Sequence, residues 1–450
     1  MNFETQNPVF KKFCELMSGF GYFEEDPVIA VAVSGGSDSM ALVLLAEGWV
    51  KRFGGKVIAL SVDHRIRKES ASEIEQVGKW LARYRIEHHV LNWVREKRKI
   101  SQNSARLARY QLLETLCREK SILHLLLGHT AGDQLETMVM RFKNNSGPDG
   151  LAGMSALVEK TDCRFLRPLL SCSRSELRSF LIDQGQKWVE DPSNENTCYE
   201  RVRIRQEVLK KNFSEKKFQS ISKNFAEVRL KKEHEIARII ASLFSLNPTG
   251  FGFINKAKFL ALPDHLIISI LGQLIRTIGG LDYPPPHSKV DRILSSLIKG
   301  SVKGQSLGRC KFSDCDQNFL LMREIRNLPQ PIRVFKSQKI FWDRRFLLRF
   351  SDSGKPAVLR SFRRADLKKI FQPLYCSLEK KGFIEVLQTL PALYTGEEFL
   401  SLPAFGYTTE IRENRRSPAI INFHTAVFKP RNSLSGSGFH LIKERKILDM

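Results

Sequence analysis

Val28-Ile-Ala-Val-Ala-Val33 runs into Ser34-Gly35-Gly36-Ser37-Asp38-Ser39, which runs into Met40-Ala-Leu-Val-Leu-Leu-Ala-Glu-Gly48. The first stretch reads as a buried strand and the last as a helix, so the hexapeptide between them is a tight strand-to-helix turn. Glycines let backbone N–H groups approach phosphate oxygens with no Cβ in the way. The serines add donors, and the helix N-terminus adds orphan amides at the positive end of a dipole. The loop lacks the Lys of GxxxxGK[ST], so it is not a Walker loop. Asp38 is a candidate magnesium ligand, because hard divalent ions prefer carboxylate oxygens. Ser/Gly turns are common, but a strand before and a helix after favour phosphate binding.

Outward from the loop, the pattern repeats. Lys56–Val62, Ile86–Val94 and Ser121–Gly128 are expected as further strands. Ser39–Arg52, Glu69–Tyr84 and Asn103–Glu119 show apolar residues at three- and four-residue intervals and are expected as one-sided helices. Such alternation predicts an α/β fold, a doubly wound parallel sheet covered on both faces. Its ligands bind beyond the carboxyl ends of the strands, here just after Val33, Val62 and Gly128.

The chain has 450 residues, enough for about three domains. From about Glu200 a charge-rich helical pattern takes over, with an apolar helix at Leu266–Ile278 and short strands ending near Arg323. Asn327–Pro331 reads as a linker, and aromatic-rich runs beyond it suggest a small mixed or mostly β domain. The expected division is a catalytic domain over residues 1–212, a helical middle domain with short strands over 213–328, and a basic domain over 329–450.

Lys and Arg exceed Asp and Glu by 72 to 48, and the resulting +24 attracts polyanions, of which nucleic acid is the commonest. Residues 330–450 carry twice as many basic as acidic residues and nearly half of the excess. No apolar run is long enough for a spanning helix, and the N-terminus has no apolar signal region, so a cytoplasmic protein with no membrane partner is expected. The eight cysteines are scattered and form no CxxC.

Further motifs stand where the cleft is expected. Val62-Asp63-His64-Arg65 ends the second strand. Ala105-Arg106-Leu107-Ala108-Arg109-Tyr110 puts two guanidiniums one helical turn apart. Gly128-His129-Thr130-Ala131-Gly132-Asp133-Gln134-Leu135-Glu136-Thr137 follows the fourth strand and aims the carboxylates of Asp133 and Glu136 the same way. Ser146–Met154 is a glycine-rich loop, followed by Arg167-Pro168-Leu169-Leu170, Asp191-Pro192-Ser193-Asn194 and the basic cluster Arg201-Val202-Arg203-Ile204-Arg205. Taken singly, most such motifs are solvated faces or structural histidines.

The SGGxDS loop resembles that of the PP-loop ATP pyrophosphatase superfamily, whose members cleave ATP between the α- and β-phosphates. In order and spacing, the motifs over roughly residues 25–210 resemble the tRNA(Ile)-lysidine synthetase family, and more loosely so at Gly304–Gly308, Arg323-Glu324, Leu367–Lys369 and Leu390-Pro391. The resemblance implies ATP and Mg2+ as cofactors, free L-lysine as a substrate, and as partner a tRNA(Ile) with a CAU anticodon, whose wobble cytidine becomes lysidine. It implies that Ser34, Gly35, Gly36, Ser37, Asp38 and Ser39 cradle the pyrophosphate moiety, with Asp38 holding magnesium. Arg109 would stabilise charge on the α-phosphoryl group, Asp133 and Glu136 would bind lysine, with Asp133 also relaying its proton, and Arg201, Arg203 and Arg205 would bind tRNA.

Three motifs depart from the family pattern. Gly132 stands where an Asp is frequent, Asn144-Asn145 where Arg-Gly is frequent, and Val202 where an Asn is frequent. Arg141 and Lys143 lie close enough in sequence to stand in for a missing phosphate contact. A PP-loop tRNA thiolase is disfavoured by the lack of CxxC. A non-catalytic RNA-binding protein is disfavoured by the intact loop and acidic pair, and a small-molecule ligating enzyme by the basic second half. The individual roles of His64, His129 and Asp191 and the oligomeric state, a homodimer being one option, stay open.

Overall fold

The computed structural model describes residues 7–63, 70–93, 102–190, 200–210, 215–302, 304–334, 338–350, 357–370, 382–408, 425–436 and 438–441. Two compact units emerge, residues 1–233 with 437–450, and residues 234–436.

The first unit is an α/β layer structure. Helix α1 (Pro8–Ser18) starts on Asn7, whose side chain accepts from the Val9 and Phe10 amides, with Pro8 at the first position. Strands β1 (Val28–Ala32), β2 (Lys56–Asp63), β3 (Glu87–Asn92), β4 (His124–Leu126), β5 (Leu157–Glu159) and β6 (Arg164–Leu166) form one sheet in the order β3-β2-β1-β4-β6-β5. All neighbours are parallel except β5 against β6. The order turns back on itself between β1 and β4, the switch point at which doubly wound sheets bind ligands.

Helix α2 (Ser37–Val50) follows the loop, then α3 (Ser70–Arg83), α4 (Gln102–Glu119), α5 (Ala131–Lys143), the single turn α6 (Pro148–Leu151), α7 (Arg174–Asp183), α8 (Glu200–Lys210) and α9 (Glu215–Leu243). The expectation of a one-sided α2 fails: every residue from Ser39 to Val50 is buried. The reason is its place, with the sheet on one side and α1 and α7 covering the other. The fourth strand is shorter than Ser121–Gly128. Ser121 takes a left-handed φ of 55° and Ile122 donates back to Cys117, so the preceding helix is still being closed there.

The second unit carries antiparallel sheets. Strands β7 (Phe244–Asn247), β8 (Phe251–Asn255), β9 (Ser306–Leu307), β10 (Cys310–Cys315) and β11 (Asn318–Arg323) form a sheet in the order β7-β8-β11-β10-β9. The helix Asp264–Gly279 lays Ile267, Ile270, Leu271, Leu274 and Ile278 into the core beside it. Strands β12 (Ile332–Val334), β13 (Lys339–Trp342), β14 (Phe346–Arg349), β15 (Ala357–Ser361), β16 (Pro391–Thr395), β17 (Glu398–Leu402), β18 (Tyr407–Thr408) and β19 (Thr425–Phe428) form two more, β12-β15-β16-β17-β18 and β13-β14-β19. Among the described residues, no helix is long and apolar enough to cross a membrane.

Candidate active site

The carboxyl ends of β1, β2 and β4 open into a cleft of about 500 Å3 within the first unit. The loop after β1 forms one wall. Gly35 takes a φ of 87°, and its carbonyl accepts from the Val189 amide at 2.9 Å, which pins the turn. Ser39 is buried and turned inward, its hydroxyl accepting from the Ser34 amide at 3.1 Å and donating to the Gly36 carbonyl at 3.0 Å. Gly36 is the N-cap of α2, so Ser37 and Asp38 sit in the first turn, where amides lack intrahelical partners. Gly128, after β4, passes so close that a Cβ there would lie 3.4 Å from the Ser39 and Asp38 backbone.

The opposite wall is acidic and fully engaged. Asp133 is the third residue of α5. Its Oδ2 accepts from the Thr130 amide at 2.8 Å and the Thr130 hydroxyl at 3.2 Å, closing the helix N-terminus. Its Oδ1 accepts from Arg174 at 3.1 Å and Arg201 at 2.9 Å. Glu136, one turn on and 2% exposed, accepts from Arg201 at 2.7 Å and Arg205 at 2.6 Å. Asp38 Oδ2 accepts from Arg174 Nε at 3.2 Å. Burial works against ionising Asp133, but Arg201 and Arg174 outweigh it and hold the carboxyl below the ordinary range. Asp38 goes the other way: burial pushes it up and Arg174 only partly compensates.

Arg109 on α4 lines the same cleft and is exposed to it. His129 also lines it; its Nδ1 is buried with no partner among the described residues, and burial beside Arg167 pushes its pKa down to about 3. The ring is therefore neutral at physiological pH. Arg201 and Arg205 face the carboxylates, whereas Arg203 lies on the outer face of α8, exposed. Arg141 donates to the Gly150 and Gly153 carbonyls at 2.6 and 2.8 Å, bracing the glycine-rich loop, and Lys143 pairs with Glu207. His64 and Asp191 lie outside the described residues.

Arg174 is the residue that sequence reasoning missed. The sequence does hold a signal, Ser173-x-x-Glu176, a capping box: Ser173 Oγ accepts from the Glu176 amide at 3.2 Å, and Glu176 Oε2 accepts from the Ser173 amide at 2.6 Å. That box fixes Arg174 at the first helical position, but only the tertiary fold aims it into the cleft.

Residues 6–212 match the family model described as a PP-loop domain. A tRNA(Ile)-lysidine synthase from Hyphomonas neptunium is 36% identical over 311 residues, covering 68% of this chain and 83% of that one. Those from Orientia tsutsugamushi and Brucella anthropi are 31% and 33% identical, covering 74% and 84% of this chain and 78% and 86% of theirs. With a serine–glycine loop and an acidic pair facing one cleft at the switch point of the sheet, this chain belongs to the tRNA(Ile)-lysidine synthase family of PP-loop ligases.

Proposed function

We propose that the cleft joins the ε-amine of free L-lysine to carbon 2 of the wobble cytidine in a CAU-anticodon tRNA(Ile), with ATP consumed to AMP and pyrophosphate. As a family member, the protein is an ATP-dependent ligase that forms lysidine in tRNA(Ile). The carrying observation is the span of one guanidinium, Arg174, which touches both Asp38 on the nucleotide loop and Asp133 on the acidic wall. Two subsites that close serve a phosphoryl step at O2 and an amine step at the adjoining carbon 2 of one base.

In the first step the cytidine O2 attacks the α-phosphorus of ATP and the bond to the β-phosphate oxygen breaks, releasing pyrophosphate. The loop amides and serines bind the departing phosphates, and Arg109 offsets charge on the α-phosphoryl group. In the second step the lysine amine attacks carbon 2, the C2–O bond breaks, and AMP leaves with that oxygen. At neutral pH less than about 0.1% of lysine ε-amino groups are deprotonated, so the site must orient the ammonium and relieve it of a proton. Asp133, held ionised, orients it with Glu136. The proposed proton relay through Asp133 needs one of its four accepted hydrogen bonds to be given up first.

Among the described residues no group of three or more His, Cys, Asp or Glu side chains is placed to hold a metal. A single carboxylate lining the cleft fits Mg2+, which takes its remaining ligands from phosphates and water. Asp38 would hold it, and the ion would supply positive charge beside the phosphates.

The second unit supports a polyanion partner. Lys339 and Arg349 stand directly opposite each other across β13 and β14, both exposed, a like-charge pairing that costs stability unless phosphate sits between. We assign residues 213–328 and 329–450 to tRNA binding, and Arg203 to a phosphate contact. Free lysine, ATP and tRNA share the cytoplasm, the proposed place of action. Among the described residues no cysteine lines the cleft, which disfavours sulfur transfer. Incubation with ATP, labelled lysine and the CAU-anticodon tRNA(Ile) is expected to put label into RNA with one AMP released per lysine. Label-free RNA with ATP consumed would reject the reading.

A further inference from the structure

Three carboxylates, Asp38, Asp133 and Glu136, are paired with three guanidiniums, Arg174, Arg201 and Arg205. Arg201 and Arg205 come from α8 and, among the described residues, reach the acidic pair and not Asp38. Arg174 is different. Its Nε is 3.2 Å from Asp38 and its Nη2 is 3.1 Å from Asp133 and 3.7 Å from Glu136. It holds both the carboxylate assigned to the nucleotide's cation and the carboxylates assigned to the lysine ammonium.

We infer that Arg174 is a positioning residue that couples the two small substrates: it occupies the lysine carboxylates until a magnesium nucleotide draws it away. The inference rests on the functional reading above. A divalent cation on Asp38 removes one of Arg174's partners, and phosphate oxygens offer its planar fork a bidentate alternative. Once it turns to the phosphates, Asp133 Oδ1 loses one of its two guanidinium donors and Glu136 loses a neighbouring cation in a partly desolvated wall. An ammonium takes the vacated place. Nucleotide therefore strengthens lysine binding, and by linkage lysine strengthens nucleotide binding by the same factor. The arrangement also keeps the acidic pair from attracting stray amines before a phosphoryl donor is present.

The test is calorimetric titration of the full chain with L-lysine, without tRNA, in the absence and presence of Mg2+ and α,β-methylene-ATP, which cannot be cleaved at the reacting bond. For the wild type, the nucleotide should tighten lysine binding by roughly tenfold, within the usual range for coupled sites. Arg174→Gln should bind lysine without nucleotide at least as tightly as the wild type and gain less than about twofold from the nucleotide. Arg174→Lys keeps the charge but not the fork, so its coupling should fall between the two, and it serves if Arg174→Gln misfolds. Wild-type coupling retained in Arg174→Gln, or in Arg174→Lys should that variant have to serve, would overturn the inference, as would a wild type that binds both ligands independently. A wild type that binds neither ligand would overturn the functional reading itself.

Discussion

Asp133→Asn is expected to lose lysine transfer by about a thousandfold, the order of effect seen when one partner of a desolvated charge cluster is removed. ATP–pyrophosphate exchange in the presence of tRNA should survive, since the loop proposed to bind the nucleotide follows β1 and belongs to a different element. The carboxylate accepts four hydrogen bonds, two from Thr130 and two from arginines. An amide cannot satisfy all four, because its NH2 would confront either the Thr130 amide or the guanidiniums, donor against donor. Weakening the helix start should also lower stability by about 1 kcal/mol, visible as a small drop in melting temperature. Lysine transfer at the wild-type rate would remove Asp133 from the amine subsite.

Gly35→Ala should cost nucleotide binding roughly 10- to 100-fold by fluorescence titration with an ATP analogue. At a φ of 87° an alanine is strained, and its Cβ would lie 2.9 Å from Val77 Cγ2 and 3.3 Å from Val189 Cγ2. Relieving the clash means moving the turn whose carbonyl is held by the Val189 amide. Gly36 is the contrast: its φ is −70°, and a methyl added there would have Ser34 Oγ as its nearest neighbour, at 3.7 Å. Gly36→Ala should melt at the wild-type temperature while Gly35→Ala melts lower. Equal melting and equal nucleotide affinity would refute the role of the Gly35 conformation.

Periodicity and turn chemistry made the first unit readable. A β-branched run, a Ser/Gly turn and an apolar helix encode β1, the loop and α2 locally, and with them the switch-point cleft. The positions of Arg109, Asp133 and Glu136 follow from the same local logic. What failed to show was side-chain partnership across elements. Arg201, Arg203 and Arg205 read as one basic cluster, yet i,i+4 spacing places Arg201 and Arg205 on one helix face and Arg203 on another. Buried Val202 and Ile204 fix that rotation, so two guanidiniums meet the acidic pair and the third meets solvent. Arg174 was hidden for a similar reason, its contacts lying 136 and 41 residues away in sequence. The short strands of the second unit pair over long separations, such as β14 with β19, and no local pattern announces such pairing.

In this mechanism the cytidine's own oxygen becomes part of the AMP that departs. A CAU-anticodon tRNA(Ile) carrying 18O at O2 of the wobble cytidine, reacted with unlabelled ATP and lysine, tests it in one mass spectrum. The expected result is 18O in the phosphate group of the released AMP and none in pyrophosphate. Unlabelled AMP, with the isotope found in water, pyrophosphate or retained in the RNA, would contradict it.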